Sequence, residues 1–285
     1  SRVSMSRQTS QKIAFALLTA MAVIVVVPIV LVVVYIVIQG FGAISWEFLT
    51  DFPRNGMKSG GILPAVVGTV VLTFGTALAS IPISVGAAVY LAEYARDSWL
   101  TRAIRMAIVN LAGIPSVVYG LFGLGLFVLF LGLGTSIVAG SLTLGLMTMP
   151  VVISTAEEAL LAVPQRFRVV SHSLGATRWQ TVREVVLPNA IPGILTGVIL
   201  GLERAAGETA PILFTVAAFY LPQLPRSPLD QTMALPYHLY VISTQVPGMP
   251  LEMQYGTALV LLIMVLGMNL VATLIRSRFR RRRQW

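Results

Sequence analysis

The chain has 285 residues, 56% of them hydrophobic and only 11% charged, with a mean hydropathy of +0.84. Soluble domains carry about 25% charged residues, so the composition excludes a soluble globular protein and predicts an all-α polytopic membrane protein. No cysteine occurs, which excludes disulfides, a thiolate nucleophile and any cysteine-held metal. The net charge of +9 follows from where the basic residues fall rather than from a nucleic-acid partner.

Residues 1–12 are polar and basic and form an N-terminal tail. The first apolar run, 13–38, is too long for a signal peptide. Ala20-Met21-Ala22 looks like a cleavage site but lies in mid-run, so the segment is expected to be retained. A loop, 39–62, has Trp46 and Phe48 placed as interface anchors. Span two, 63–92, contains Gly68, Gly75, Ala79 and Gly86, small residues that permit close packing in lipid, and Pro82 is expected to kink it. A charged link, 93–105, precedes span three, 108–131, which holds Pro115-Ser116. Gly132 and Gly134 turn the chain into span four, 137–153, with Pro150 inside it. Span five covers 191–219. A proline-rich loop, 221–254, expected to be non-helical and rigid, leads to span six, 255–275, and a basic tail, 276–285.

Six spans leave both termini on one side of the membrane. Sixteen Lys and Arg residues fall on that side, in the tails, the 93–105 link and segment 164–192, against three on the other, Arg54, Lys58 and Arg226. The positive-inside rule therefore puts both termini in the cytoplasm. The run Arg280–Arg283 reads as a topology anchor, with RNA or an anionic lipid as the other reading.

Segment 164–192 is a polar, basic island between spans four and five. Pro164 opens it, and Phe167, Val170 and Leu174 recur at i, i+3, i+7 to draw an apolar stripe on a short helix. Gly175 supplies a left-handed stop. Thr177 caps a second helix with Gln180 in capping-box position. Trp179, Val182 and Val186 carry that helix's stripe, and Pro188 is expected to end it. Arg166, Arg168, Arg178, Arg183 and Glu184 take the polar sides. Such a pair either lies on lipid headgroups or docks on a partner.

The spacing Gly175-x9-Val185-x-Leu187-Pro188 resembles the cytoplasmic coupling loop of bacterial ABC importer permeases, EAA-x3-G-x9-I-x-LP. Val169-Val170-Ser171 fills the EAA slot, so the acidic first position is absent. The resemblance implies that Leu174, Gly175, Ala176, Thr177, Trp179, Val185, Leu187 and Pro188 seat in a groove of a separate ATPase subunit.

Inside span five, residues 202–209 read LERAAGET, where each charge in mid-membrane costs about 2.5–3.5 kcal/mol. Arg204 and Glu208 share a face at i, i+4 and can pair, while Glu203 points about 100° away. The patch is either an ion pair that locks helices together or the lining of a substrate path. A guanidinium suits an oxyanion: its planar fork of donors matches phosphate, and it stays protonated. Glu208 would hold Arg204 while the path is empty. Two carboxylates against one arginine leave a negative sum, so this reading requires a second positive group from a partner subunit.

The segment R-x-x-G-E-T-A-P, Arg204 to Pro211, is similar to the span-five motif of the PstA-type, phosphate-specific ABC importer permeases. YLAEYARDSW and AGIPSVVYGLFGLGLFV look alike too, and the similarity runs from about residue 60 to 275. The resemblance implies a type I ABC importer permease (MetI-like) fold with six transmembrane helices over 13–275, in the bacterial cytoplasmic (inner) membrane. It implies import of inorganic phosphate along a path containing Arg204, Glu208, Glu203, Thr209 and Ser116, with sulfate or molybdate as the alternative cargo. The partners implied are a homologous second permease subunit (PstC-like), two copies of an ATPase subunit (PstB-like) that hold ATP and Mg, and an extracytoplasmic phosphate-binding protein (PstS-like) facing loop 221–254. The chain itself is expected to bind no metal or cofactor.

Other classes fit less well. Neither Lys12 nor Lys58 follows the glycines of a P-loop, so the chain is expected not to hydrolyse ATP. The two histidines, a solvated His172 and an interfacial His238, fall on opposite sides of the membrane, and Ser116 has no basic partner in its span, which argues against an intramembrane hydrolase. An ion-coupled transporter would use Glu203, Arg204 and Glu208 as a proton relay, but no inverted repeat is evident.

Overall fold

Lipid offers no hydrogen bonds to a bare backbone, so a chain this apolar must satisfy its amides internally. The protein does so with helices. The structure, a computed structural model, describes residues 7–281, with side chains over 11–278. Arg2, the side chain of Arg7 and those of Arg280–Arg283 lie outside the described residues.

The first helix, α1 (Arg7–Gly40), leads through a short turn to α2 (Trp46–Thr50) and a small hairpin of β1 (Pro53–Arg54) and β2 (Ser59–Gly60). Next come α3 (Leu63–Val89), extended by a π-helical turn at Tyr90–Tyr94, and α4 (Trp99–Ala112). Then α5 (Ser116–Gly123), extended by a π turn at Leu124–Phe130, precedes α6 (Ile137–Leu161). The island 164–192 opens with α7 (Gln165–Ser173) and α8 (Arg178–Thr181), and a π turn at Val182–Val186 joins α8 to α9 (Leu187–Gly207). The chain ends with α10 (Ala210–Thr215), α11 (Leu235–Thr244) and α12 (Leu251–Arg281). Among the described residues five helical stretches are long and apolar enough to cross a membrane, and α4 with α5 makes a sixth as a broken pair bent by 103°.

The helix α6 is the axis of the bundle, with α3 and α9 packed along it. A Cβ at Gly193, Gly197 or Gly201 of α9 would overlap Ala159, Thr155 or Val152 of α6. This i, i+4 ridge of glycines lets the two backbones approach as small residues do in lipid. Several buried hydroxyls are satisfied within their own helices: Thr69, Thr76, Ser80 and Thr143 each donate to the carbonyl four residues back, at 2.7–2.8 Å. One apolar cluster, with Leu72, Leu144, Met147, Ile212, Val216 and Leu235, fills the half away from the island. A second, with Leu91, Ile153, Leu160, Val186 and Ile194, fills the island half. The end of α10 and the 216–234 segment cap α6: Ser136, Ile137 and Val138 donate their amides to the carbonyls of Thr215, Asp230 and Pro228 at 2.9–3.0 Å, which satisfies donors that a helix start leaves open.

The structure differs from the sequence expectations at the breaks. Span three is not one helix over 108–131. Pro115 has no N–H and bars helical geometry at Ile114, so α4 ends at Ala112 and the chain restarts at Ser116 in a new direction. Pro188 does not end the second island helix. Leu187 donates to Val182 five residues back, a widened turn that relieves the clash of the proline ring, and one helix runs from Arg178 to Gly207. Span five therefore ends at Gly207 rather than 219. Glu208 is extended (φ −77°, ψ 136°), because Pro211 in the first turn of α10 has no N–H to offer Gly207. Span four runs past 153 to Leu161, and the link between α3 and α4 shrinks to residues 95–98. Loop 221–254 is not wholly non-helical, since Pro236 sits in the first turn of α11, where a missing N–H costs nothing. Phe48 and His238 are not interfacial: both are buried at 3% exposure, whereas Trp46 is exposed.

Candidate translocation path and docking loop

The island folds as its residues dictate. Pro164 starts α7, Gly175 takes the left-handed conformation (φ +84°), and Thr177 with Gln180 completes a capping box at α8. Val182 and Val186 are buried, and Val185, Leu187 and Pro188 are half-buried where α9 begins. The expected stripe on α7 faces outward instead: Phe167 packs on the bundle, but Val169 and Val170 are bare and Leu174 is 83% exposed. Trp179 is also exposed, at 57%, so the two short helices leave several apolar side chains uncovered on either side of Gly175, Ala176 and Thr177. His172 is exposed, as expected.

Two arginines expected on polar faces do something else. Arg168 is 11% exposed and clasps Glu93, 7% exposed, with Nη2 to Oε1 at 2.5 Å and Nε to both carboxylate oxygens at 3.2 Å. Its remaining donors reach the carbonyls of Val163 at 2.6 Å and Leu160 at 2.9 Å. Arg178 donates to the Glu93 carbonyl and lies 5.0 Å above the Tyr94 ring. Nearby, Arg105 Nε donates to Glu157 Oε1 at 2.8 Å, and its Nη2 to the Leu91 carbonyl at 3.0 Å. Sequence reasoning missed this cluster, and the signal available was a lone acid in an apolar helix end, YLAEY.

The second group of residues gathers at the two helix breaks. Arg204 lies in the last turn of α9 rather than in mid-helix, and its Nε reaches Glu208 Oε1 at 3.4 Å just past the end. This pair is open, with Arg204 38% and Glu208 19% exposed. Thr209 stands at the head of α10. A Cβ on Gly120 of α5 would come within 3.0 Å of the Pro211 backbone and 3.1 Å of the Ala210 carbonyl, so α5 crosses α10 closely there. Ser116 lies one turn earlier on the same face of α5. Tyr119 is within electrostatic reach of Arg204 and donates its hydroxyl to the Leu111 carbonyl at 2.9 Å, across the bend. Both breaks of the membrane helices therefore meet beside one guanidinium.

Glu203 leaves this group. It lines a largely apolar groove of about 490 Å³ with Thr73 of α3 and with Met264, Gly267 and Met268 of α12. Its buried Oε1 has no hydrogen-bond partner among the described residues. The structure thus brings Arg204, Glu208 and Thr209 together, sets Ser116 on the facing helix, and turns Glu203 elsewhere. No group of three or more metal-ligating side chains occurs among the described residues.

The frame is a helical bundle with a broken span and a pair of short helices at one end. Residues 80–285 match the family described as "Binding-protein-dependent transport system inner membrane component". A probable ABC transporter permease protein, YqgI of Bacillus subtilis, is 36% identical over 94% of this chain and 95% of its own. The probable phosphate transport system permease protein PstA of Methanocaldococcus jannaschii is 34% identical over 92% of each chain. The phosphate transport system permease protein PstA of Mycobacterium leprae is 33% identical over 96% of this chain and 91% of its own. Among solved structures, the inward-facing MetNI methionine ABC transporter superposes with a TM-score of 0.64 at 19% identity, over 76% of this chain and 95% of that one. The chain belongs to the family of binding-protein-dependent transport system inner membrane components. It is a multi-pass inner-membrane permease subunit of an ABC importer with the MetI-type fold.

Proposed function

We propose that this chain is the PstA-type half of an ATP-driven phosphate importer, with both termini and the 164–192 island in the cytoplasm. The observation that carries the reading is the open Arg204–Glu208 pair at the meeting of two helix breaks. A contact of 3.4 Å is long for a hydrogen bond and weakly held, so an incoming oxyanion can take the guanidinium from Glu208 with bidentate geometry. Ser116 and Thr209 would offer hydroxyl donors to the same anion. The phosphate names of the relatives support the cargo.

The chain's own residues would bind and release the anion, and energy would come from elsewhere. The uncovered apolar side chains Val170, Leu174 and Trp179 suit docking on an ATPase subunit that holds ATP and Mg. A second, homologous permease subunit would complete the path with the positive group that Glu203 and Glu208 require. A phosphate-binding protein would deliver cargo to the 221–254 side.

Reconstituted with those partners, the wild type is expected to take up phosphate only with ATP. Arg204→Gln should abolish uptake while the ATPase subunit still co-purifies. Uptake retained by that variant would reduce Arg204 to a structural residue. Uptake by this chain alone under a proton gradient would favour ion-coupled transport, and competition by sulfate or molybdate but not phosphate would reassign the cargo.

A further inference from the structure

The first helix of the island, α7, is loosely attached to the bundle. No residue of α7 is fully buried, and of its apolar side chains Phe167 is the one that packs into the island-half cluster. Its strongest hold is the Arg168 guanidinium. That group spans three elements: its own helix, Glu93 at the end of α3, and the carbonyls of Leu160 and Val163 that close α6. Carbonyls at a helix end lack partners of their own, so Arg168 also caps the axis helix of the bundle. Arg178, from the head of the helix that becomes α9, binds the main-chain carbonyl of the same Glu93.

Arg168 thus ties the first docking helix to span two through the Glu93 carboxylate and to span four through two carbonyls. Arg178 ties the second to the span-two main chain, and span five is joined to them by the backbone. Glu93 and Val182 also sit in π turns, at Tyr90–Tyr94 and Val182–Val186, and both line a cavity of about 460 Å³ under the island. In the first of these turns Ala95 donates to Tyr90 five residues back. Such widened turns inside α-helices are found mostly as single turns, frequently at functional sites.

We propose that Glu93 is a positioning residue for transport: its carboxylate fixes the Arg168 guanidinium, so that the docking loop and the ends of spans two and four move as one body with span five, which continues from the loop. A push on the loop then reaches the Arg204 break along rigid helices. Without the clasp, the loop would tilt on its own and ATP turnover would lose its grip on the path. This inference rests on the proposed docking of an ATPase at the loop, but not on the cargo.

The chain has no cysteine, so spin labels can be placed at Ser173→Cys on α7 and Tyr90→Cys on the exposed side of span two. In the complete reconstituted complex, the wild-type label distance is expected to stay narrow with and without trapped ATP. In Glu93→Gln the ATPase subunit should still co-purify, the distance should broaden when ATP is trapped, and uptake per ATP hydrolysed should fall about tenfold, the scale of a lost coupling contact. Glu93→Asp keeps the charge and should restore the narrow distance and most of the uptake. A broad wild-type distribution would overturn the proposal. So would a narrow one with normal uptake per ATP in Glu93→Gln, or loss of the ATPase subunit from both variants alike, which would make the clasp a matter of folding alone. A wild-type complex with the expected distances but no phosphate uptake would overturn the cargo and leave the clasp standing.

Discussion

Two arginine–glutamate pairs in this chain have the same chemistry and opposite character. Arg168 and Glu93 are nearly enclosed and share three donor–acceptor contacts, with two further bonds from Arg168 to carbonyls, whereas Arg204 and Glu208 meet once, at 3.4 Å, with Arg204 38% and Glu208 19% exposed. Removing one partner of a buried pair strands the other and costs about 3–5 kcal/mol, while an exposed pair contributes about 0–1 kcal/mol. Thermal melting in detergent should therefore separate them, with Arg168→Gln markedly destabilised and Arg204→Gln close to wild type. Equal losses would mean that Arg204 is a structural residue. His238, in α11 and outside the spanning helices, gives a pH signature. Burial lowers its pKa from 6.5 to about 4, so the folded chain resists a proton that the unfolded chain accepts. Its contribution is complete above pH 6.5 and declines as pH falls toward 4, by about 2 kcal/mol at pH 5. Melting between pH 7 and 5 should fall less for His238→Phe, which never titrates, than for the wild type.

At the scale of elements, the glycine ridge of α9 is the closest helix contact that the sequence pattern can be tested on. Gly197→Leu must push α9 from Thr155 of α6. Overpacking of this kind costs about 1–3 kcal/mol, and because α9 carries Arg204, uptake should fall together with the melting temperature. Gly175→Val acts differently: a β-branched residue at φ +84° is strained by about 1–2 kcal/mol, and the loss should appear as weaker ATPase co-purification. The apolar runs, the glycine stop and the capping box were readable because each depends on neighbours within a few residues. The breaks were not, since prolines at 28, 82, 150 and 192 ride inside helices while those at 115 and 211 mark ends. Pro188 is passed because a π turn precedes it, which no local pattern announces. The Arg204–Glu208 pair was legible at i, i+4, but Glu93 and Arg168 are 75 residues apart and only folding reveals them as partners.

For the molecule as a whole, charge asymmetry and fold agree on two distinct ends. The island with Arg166, Arg168, Arg178 and Arg183 shares its end with Glu93 and Glu157, while Arg54 and Arg226 belong to the opposite end, where the hairpin meets segment 216–234 through the Tyr220 hydroxyl and the Pro53 carbonyl at 3.1 Å. Moving such a basic cluster across a bilayer is opposed during insertion, so the island end should be cytoplasmic. The absence of cysteine from the sequence makes the orientation directly measurable. Ser173→Cys, exposed on α7, should react with a membrane-impermeant maleimide only after cells are opened, and Gln223→Cys, exposed on the far segment, should react in intact cells with an opened outer envelope. The reverse pattern would put the docking loop outside, where no ATP is available, and would remove the energetic basis of the transport reading. Labelling of both positions from outside would mean that the helix between them, Arg178–Gly207, does not cross the membrane, and would overturn the six-span topology.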